Sequence, residues 1–189
     1  IKRIIRGLFK KLVLVNLLMI VFNHLQTLEI SWNISLAIIL MSYLILYFDL
    51  SGYSDIAIAF GSLYGILVPE NFKKPWSAPT MTQFWRNWHV TLSDYIREHI
   101  YVVVVKKKLN KYQGGFIGFS TMLIMALWHG FYWHYALAGA YLGLILFFEN
   151  VFSLTSLSKR TTNKFYFAFR CLLTNFLFAV NTLVFTIPK

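Results

Sequence analysis

Long apolar runs, separated by short basic or proline-bearing breaks, dominate the pattern along the 189 residues. An α-helix needs about 20 mainly apolar residues to cross a bilayer. Residues 12–28 form the first such run, opened by Lys2, Arg3, Arg6, Lys10 and Lys11, and residues 32–48 form the second. Residues 56–68 are too short to cross and hold Gly61 and Gly65, which suits a re-entrant or tightly packed segment. Pro69, Pro75 and Pro79 then interrupt the pattern, so residues 69–80 read as an irregular connection at the membrane surface. From 81 to 99, Trp85, Trp88, His89, Leu92, Ile96 and His99 recur at three- and four-residue spacing and predict one amphipathic helix. Such a helix lies in the interface or lines a polar cavity. A short apolar run at 101–105 ends in Lys106, Lys107 and Lys108, and three further spans follow at 116–131, 135–152 and 165–187. The fold expected is all-α, a polytopic membrane helix bundle of about five spans with interfacial and re-entrant helices. It reads as a single membrane domain over 1–189: two spans in 1–48, the re-entrant and interfacial segment in 49–110, and three spans in 111–189.

Composition strengthens the membrane reading. The chain is 58% hydrophobic and 13% charged, with a mean hydropathy of +0.59. A soluble domain carries roughly twice that charged share. Lys and Arg total 18 against 7 acidic residues, giving +11, but the cations are clumped at 2–11, 106–111 and 159–164. Because the clumps flank apolar runs, they fit cytoplasmic juxtamembrane positions better than a nucleic-acid surface. Nucleic acid is therefore not an expected partner; the lipid bilayer is. The single cysteine, Cys171, excludes an internal disulfide and a cysteine metal cluster, and reads as a buried small residue. A chain opening on Ile1 without a signal peptide is expected to be part of a longer protein.

Three groups of residues carry candidate chemistry. An imidazole inside an apolar run is costly and functional by default, and His129 in Leu127-Trp128-His129-Gly130, with Trp133-His134 after it, is the sharpest case. Histidine takes a proton near neutral pH, as a base for acyl transfer to a hydroxyl must. The competing reading is an interfacial His in a belt of aromatics. In Gln83-Phe84-Trp85-Arg86-Asn87-Trp88-His89, His89 shares a face with Trp85 and Trp88, and Arg86 suits a phosphate or carboxylate. On spacing alone, an amphipathic helix with interfacial Trp anchors and a snorkelling Arg is the better fit. His89 and Asp94 match a His-x4-Asp acyltransferase pattern, yet on a continuous helix they would stand about 140° apart, which reads as coincidence. Asp49 and Asp55, in Tyr47-Phe48-Asp49-Leu50-Ser51-Gly52-Tyr53-Ser54-Asp55, read as structural residues at a capped helix end. No Gly-rich phosphate loop, nucleophile elbow or zinc spacing occurs in the sequence, and no metal is expected.

Taken in order, these pieces resemble the membrane-bound O-acyltransferase family. The matching text is YFDLSGYSDIA at 47–57, VPENF at 68–72, Lys74-Pro75, QFWRNWHVTLS at 83–93, Arg97, Tyr101, ALWHG at 126–130 and Trp133. The likeness covers roughly residues 40 to 150 and points to the bacterial alginate O-acetylation and teichoic-acid D-alanylation branch. The Pro-Glu-Asn-Phe and Ser-Gly-Tyr-Ser-Asp segments lean toward the alginate type, and residues 128–135 toward the D-alanyl type. The resemblance implies the C-terminal half of a larger multi-helix fold with a tunnel where acyl donor and acceptor meet. It implies acetyl or D-alanyl transfer from a thioester to a hydroxyl of an extracellular polysaccharide or teichoic acid, in a bacterial plasma membrane. His129 would be the catalytic base and His89 a second catalytic residue that supports it or positions a substrate, with Trp85, Arg86, Trp88, Trp128 and Trp133 binding substrate in a dry site. No cofactor is implied, because acetyl-CoA or a carrier-protein-bound acyl group is the substrate. An acyl carrier protein and an extracytoplasmic acyl-transfer protein are the implied partners. Two other classes compete: a transporter-like proton or ion path through His89, His129 and Asp55, and a non-catalytic scaffold subunit.

Overall fold

A computed structural model describes residues 1–101, 109–156 and 162–186. The cations Lys106, Lys107, Lys108, Lys159 and Arg160, and the run at 102–105, lie outside the described residues. Every regular element among the described residues is helical, and the chain divides into two compact units, Ile1–Asn71 and Phe72–Lys189.

The first unit is an antiparallel helix pair. Helix α1 (Lys2–Leu8) passes through a π-helical segment, Phe9–Leu14, into α2 (Val15–Thr27), so the basic cluster and the first apolar run share one helical path. A short turn at 28–31 leads to α3 (Trp32–Leu63), whose N-cap Ser31 accepts the Ile34 N–H. The expected helix end around Asp49–Asp55 does not occur, and residues 56–63 are the last turns of α3. Its 32 residues extend roughly 48 Å, well beyond a hydrocarbon core of about 30 Å. Among the described residues, α3 is the one helix that meets length and hydropathy thresholds for crossing a membrane.

Tertiary pairing explains why α3 runs on through Ser51, Gly52 and Asp55. Gly7 and Gly52 face each other so closely that a Cβ on Gly7 would lie 2.7 Å from the Gly52 carbonyl oxygen. Glycine at a crossing lets two helical backbones touch. That approach brings the Arg3, Arg6 and Lys10 face onto Asp55, at 3.0, 3.0 and 2.8 Å. Arg3 also grips Glu70 with two parallel hydrogen bonds of 2.7 and 2.6 Å, holding that carboxyl below its ordinary range. Lys11 pairs with Asp49. The cations read as juxtamembrane anchors are thus drawn into an internal charge network, and Asp55 is its buried centre.

The second unit starts with a strap. Phe72 bridges to Trp88, and the Lys73 N–H donates to the Asn87 carbonyl at 2.9 Å. A 3₁₀ turn, Pro75–Ser77, leads through the buried Pro79 to Thr80, which caps α4 (Met81–Asn87) by accepting the Gln83 N–H. The single amphipathic helix expected over 81–99 is broken here. Trp88 is extended and His89 is left-handed at φ +48° and ψ 54°, and the chain restarts as α5 (Val90–Ile96) and a π turn, Arg97–Tyr101. The Phe72–Trp88 bridge takes the place of continued helix, and the Ser93 hydroxyl locks the bend by donating to the Trp85 carbonyl at 2.8 Å.

The remaining long helices match the apolar runs in position. Helices α6 (Lys111–Trp128) and α7 (Trp133–Val151) form a close hairpin, and α8 (Lys164–Thr182) packs on α7, with the Tyr141 hydroxyl donating to the Leu177 carbonyl. At 1.5 Å per residue, α6, α7 and α8 each come to roughly 27–29 Å, close to one bilayer core. Large apolar side chains stand exposed along these helices: Phe116, Ile124, Leu137, Leu144, Phe169 and Leu172. A water-facing surface rarely carries that density of apolar groups, whereas lipid or further protein accepts it.

Candidate active site

The sequence-predicted residues fall into two groups within the second unit. The first surrounds Phe178 of α8. Phe84 and Trp88 are almost fully buried and pack on the Phe178 ring at 4.4 and 4.8 Å, with Trp85 edge-on at 5.9 Å. Trp88 is therefore part of the aromatic core, and Arg86 points outward and is exposed. His89 follows at the bend, half-buried, and its Nδ1 is enclosed without a hydrogen-bond partner, as is Nε1 of Trp85. Buried polar atoms almost always have partners, so two such atoms in one motif mark this bend as a place for a polar contact. Burial pushes the His89 imidazole below its ordinary value, which keeps it neutral and able to accept a proton at pH 7. A non-glycine residue held left-handed costs about 1 kcal/mol or more and persists where its surroundings demand it.

With the helix broken at His89, the 140° separation expected between His89 and Asp94 no longer applies. Asp94 instead pairs with Arg97 at 3.0 Å.

The second group sits at the α6–α7 turn. His129 ends α6, its N–H returning to the Ala126 carbonyl at 3.1 Å, and Gly130 takes φ +154°. A Cβ at Gly130 would press on the Tyr132 and Tyr135 rings at 3.0 and 3.2 Å, so this sharp turn requires glycine. The His129 ring lies 5.3 Å from Trp128 and 6.0 Å from Tyr135. A dry, aromatic-shielded His129 was expected. The described residues leave it exposed, with Trp128 and Trp133 at 75% and 70% exposure beside it.

Sequence reasoning assigned no role to His134, Glu149 or Arg170. His134 is 3% exposed, stacks on Tyr132 and keeps Nε2 unpartnered. Glu149, also buried, accepts the Met81 N–H at 2.6 Å and both the N–H and hydroxyl of Thr82 at 2.8 Å. A carboxylate at the start of a helix offsets its dipole and satisfies its orphan donors, so α7 fixes where the FWRNWH segment begins. The signal that could have found them is the one used for His129, an ionisable residue in or beside an apolar run; their partners are not local. Among the described residues no three His, Cys, Asp or Glu side chains gather as a metal site.

The sequence matches the membrane-bound O-acyltransferase family over residues 4–187. The chain belongs to that family. It is 35% identical over 166 residues to a probable alginate O-acetylase of Pseudomonas putida, covering 84% of this chain and 33% of that protein. It is 36% identical over 125 residues to a peptidoglycan O-acetyltransferase of Helicobacter pylori, covering 65% and 22%. Against a teichoic acid D-alanyltransferase of Streptococcus thermophilus the identity is 32% over 126 residues, covering 63% and 30%. The chain thus spans about a third of the length of the first of these relatives. Family membership fits the helical architecture and the exposed apolar helices of the fold.

Proposed function

We propose that this chain carries the histidine-bearing part of a multi-pass O-acyltransferase of the bacterial plasma membrane. It moves an acyl group from a thioester donor to a hydroxyl of an extracellular polysaccharide or teichoic acid. The observation that carries the reading is the placement of His129: a ring ending an apolar helix, beside a glycine-enforced turn, in a family named for acyl transfer. His129 accepts the proton of the acceptor hydroxyl as that oxygen attacks the thioester carbonyl; the carbon–sulfur bond then breaks and the imidazolium returns the proton to the departing thiolate. His89, neutral and with one ring nitrogen unpaired, orients a substrate or supports His129. The exposed Trp128 and Trp133 contact substrate or the rest of the larger protein, which closes the site against water and so protects the thioester from hydrolysis. Acetyl is favoured over D-alanyl, because the likeness to the alginate O-acetylase covers more of this chain than that to the D-alanyltransferase. Acetyl-CoA or a carrier-bound acyl group serves as donor, and an extracytoplasmic protein completes delivery to the polymer.

The deciding test uses the full-length parent protein in membranes, wild type against His129→Ala at matched abundance. Acyl transfer to extracellular polymer should fall by at least ~10²-fold, the usual contribution of a general base. Released acetate or D-alanine identifies the acyl group. Undisturbed transfer would return His129 to the aromatic belt and favour a scaffold or transporter role.

A further inference from the structure

Arg170 stands in α8, six residues after the helix begins at Lys164, and so roughly 9 Å along its axis. Its Nε donates to the Pro79 carbonyl at 3.2 Å, and no carboxylate lies within ion-pair reach among the described residues. A guanidinium within an apolar helix that makes no ion pair among the described residues is a functional candidate by default. It opens on a cleft of about 220 Å³ between α7, α8 and the start of α4. Ile145, Phe148, Leu173 and Leu177 form apolar walls, and Glu149 and Arg170 supply the charges. The Glu149 carboxylate is already spent on the start of α4, which leaves Arg170 as the cleft's cationic donor.

We propose that this cleft binds an anionic phospholipid, with its phosphodiester on Arg170 and an acyl chain against Ile145, Phe148, Leu173 and Leu177. The inference rests on α8 lying in the bilayer, as proposed above, and three observations select the occupant. Glu149 lies two residues before α7 ends and Arg170 near the start of α8, so both stand at headgroup depth at one end of the helices. Leu144, Phe148, Phe169 and Leu172 are exposed on the same two helices and give lipid chains apolar surface to lie against. The walls offer a sugar polymer almost no hydrogen bonds, and the neighbouring Glu149 disfavours a small, multiply charged anion over a singly charged diester.

The test is lipid retention by the detergent-solubilised full-length protein, read by native mass spectrometry. The probes are phosphatidylglycerol and phosphatidylcholine with the same acyl chains. Wild type should retain phosphatidylglycerol in preference, and Arg170→Gln should weaken that retention by about tenfold, the worth of one charge-assisted contact. Arg170→Lys should keep most of it. Leu173→Trp, which fills the cleft and leaves the charge, should lose both lipids, and this arm decides if Arg170→Gln fails to fold. Unchanged phosphatidylglycerol retention in Arg170→Gln, equal retention of the two lipids by wild type, or displacement by equimolar glycerol phosphate would each overturn the proposal. Retention is read without acyl transfer, so a His129→Ala protein that still transfers acyl groups would sink the catalytic reading alone.

Discussion

At the scale of single residues, His89 combines two unusual features: a left-handed backbone and a ring nitrogen enclosed without a partner. Its depressed pKa has a definite consequence for stability. In the folded chain the neutral imidazole is favoured, while the unfolded chain protonates near pH 6.5. Between that pH and the lower folded value the unfolded state binds more protons, so stability rises with pH across the window. Above pH 6.5 the penalty is absent; it grows as pH falls and levels off below the folded pKa. Lowering pH from 7.5 to 5.5 should therefore cost wild type more thermal stability than His89→Asn, a residue that tolerates left-handed backbone. Equal slopes for the two proteins in melts of the detergent-solubilised protein would show that His89 titrates as an exposed imidazole. The same variant separates backbone from ring: if His89 supports transfer chemically, His89→Asn should fold normally and still lose activity.

The helices show which signals are local and which are not. The helices over 116–131, 135–152 and most of 165–187 were legible because long apolar runs bounded by polar residues admit few other structures. The bend at His89 was not, since Trp88 and His89 carry no breaking residue type, and the bend depends on Phe72 pairing with Trp88 sixteen positions on. The opposite error arose in α3, where Ser51, Gly52 and Asp55 resemble a helix end. Contacts from Gly7, Arg3, Arg6 and Lys10 supply the compensation that lets the helix continue. Of the candidate site, His129 beside Gly130 could be read from its neighbours; Glu149 could not, because its partners are the start of α4, 68 residues earlier. Glu149→Ala removes three hydrogen bonds from the start of α4, one to a buried and two to part-buried donors, and should destabilise the protein by about 2–3 kcal/mol, with Glu149→Gln costing less because one oxygen remains. Thermal melts of both variants give the comparison. A loss under about 0.5 kcal/mol for Glu149→Ala would mean that water replaces the carboxylate at the helix start.

Over the whole chain, the +11 charge is less free than the sequence implies. In the first unit Arg3, Arg6, Lys10 and Lys11 are matched to Asp55, Asp49 and Glu70, and the matching is uneven in depth. The Asp55 side chain is only 7% exposed and serves three cations, whereas Lys11 and Asp49 are 40% and 41% exposed. Exposed pairs are screened by water and contribute at most about 1 kcal/mol. Removing one partner from a buried cluster costs about 3 kcal/mol or more, because the remaining charges stay together without compensation. Asp55→Asn leaves Arg3, Arg6 and Lys10 converging on a neutral amide, so it should lower stability by about 3 kcal/mol. Asp49→Asn should cost about 1 kcal/mol or less, and raised salt should erase that smaller effect first. Similar costs for the two variants would show that the network is solvated throughout, with the Gly7–Gly52 contact alone holding α1 to α3. A further variant, Gly52→Val, then isolates the packing term: its Cβ would meet the Gly7 carbonyl at 2.9 Å, forcing the helices apart and weakening every ion pair at once. If the cluster depends on that approach, adding Asp55→Asn to Gly52→Val should cost clearly less than Asp55→Asn alone, since coupled sites are not additive.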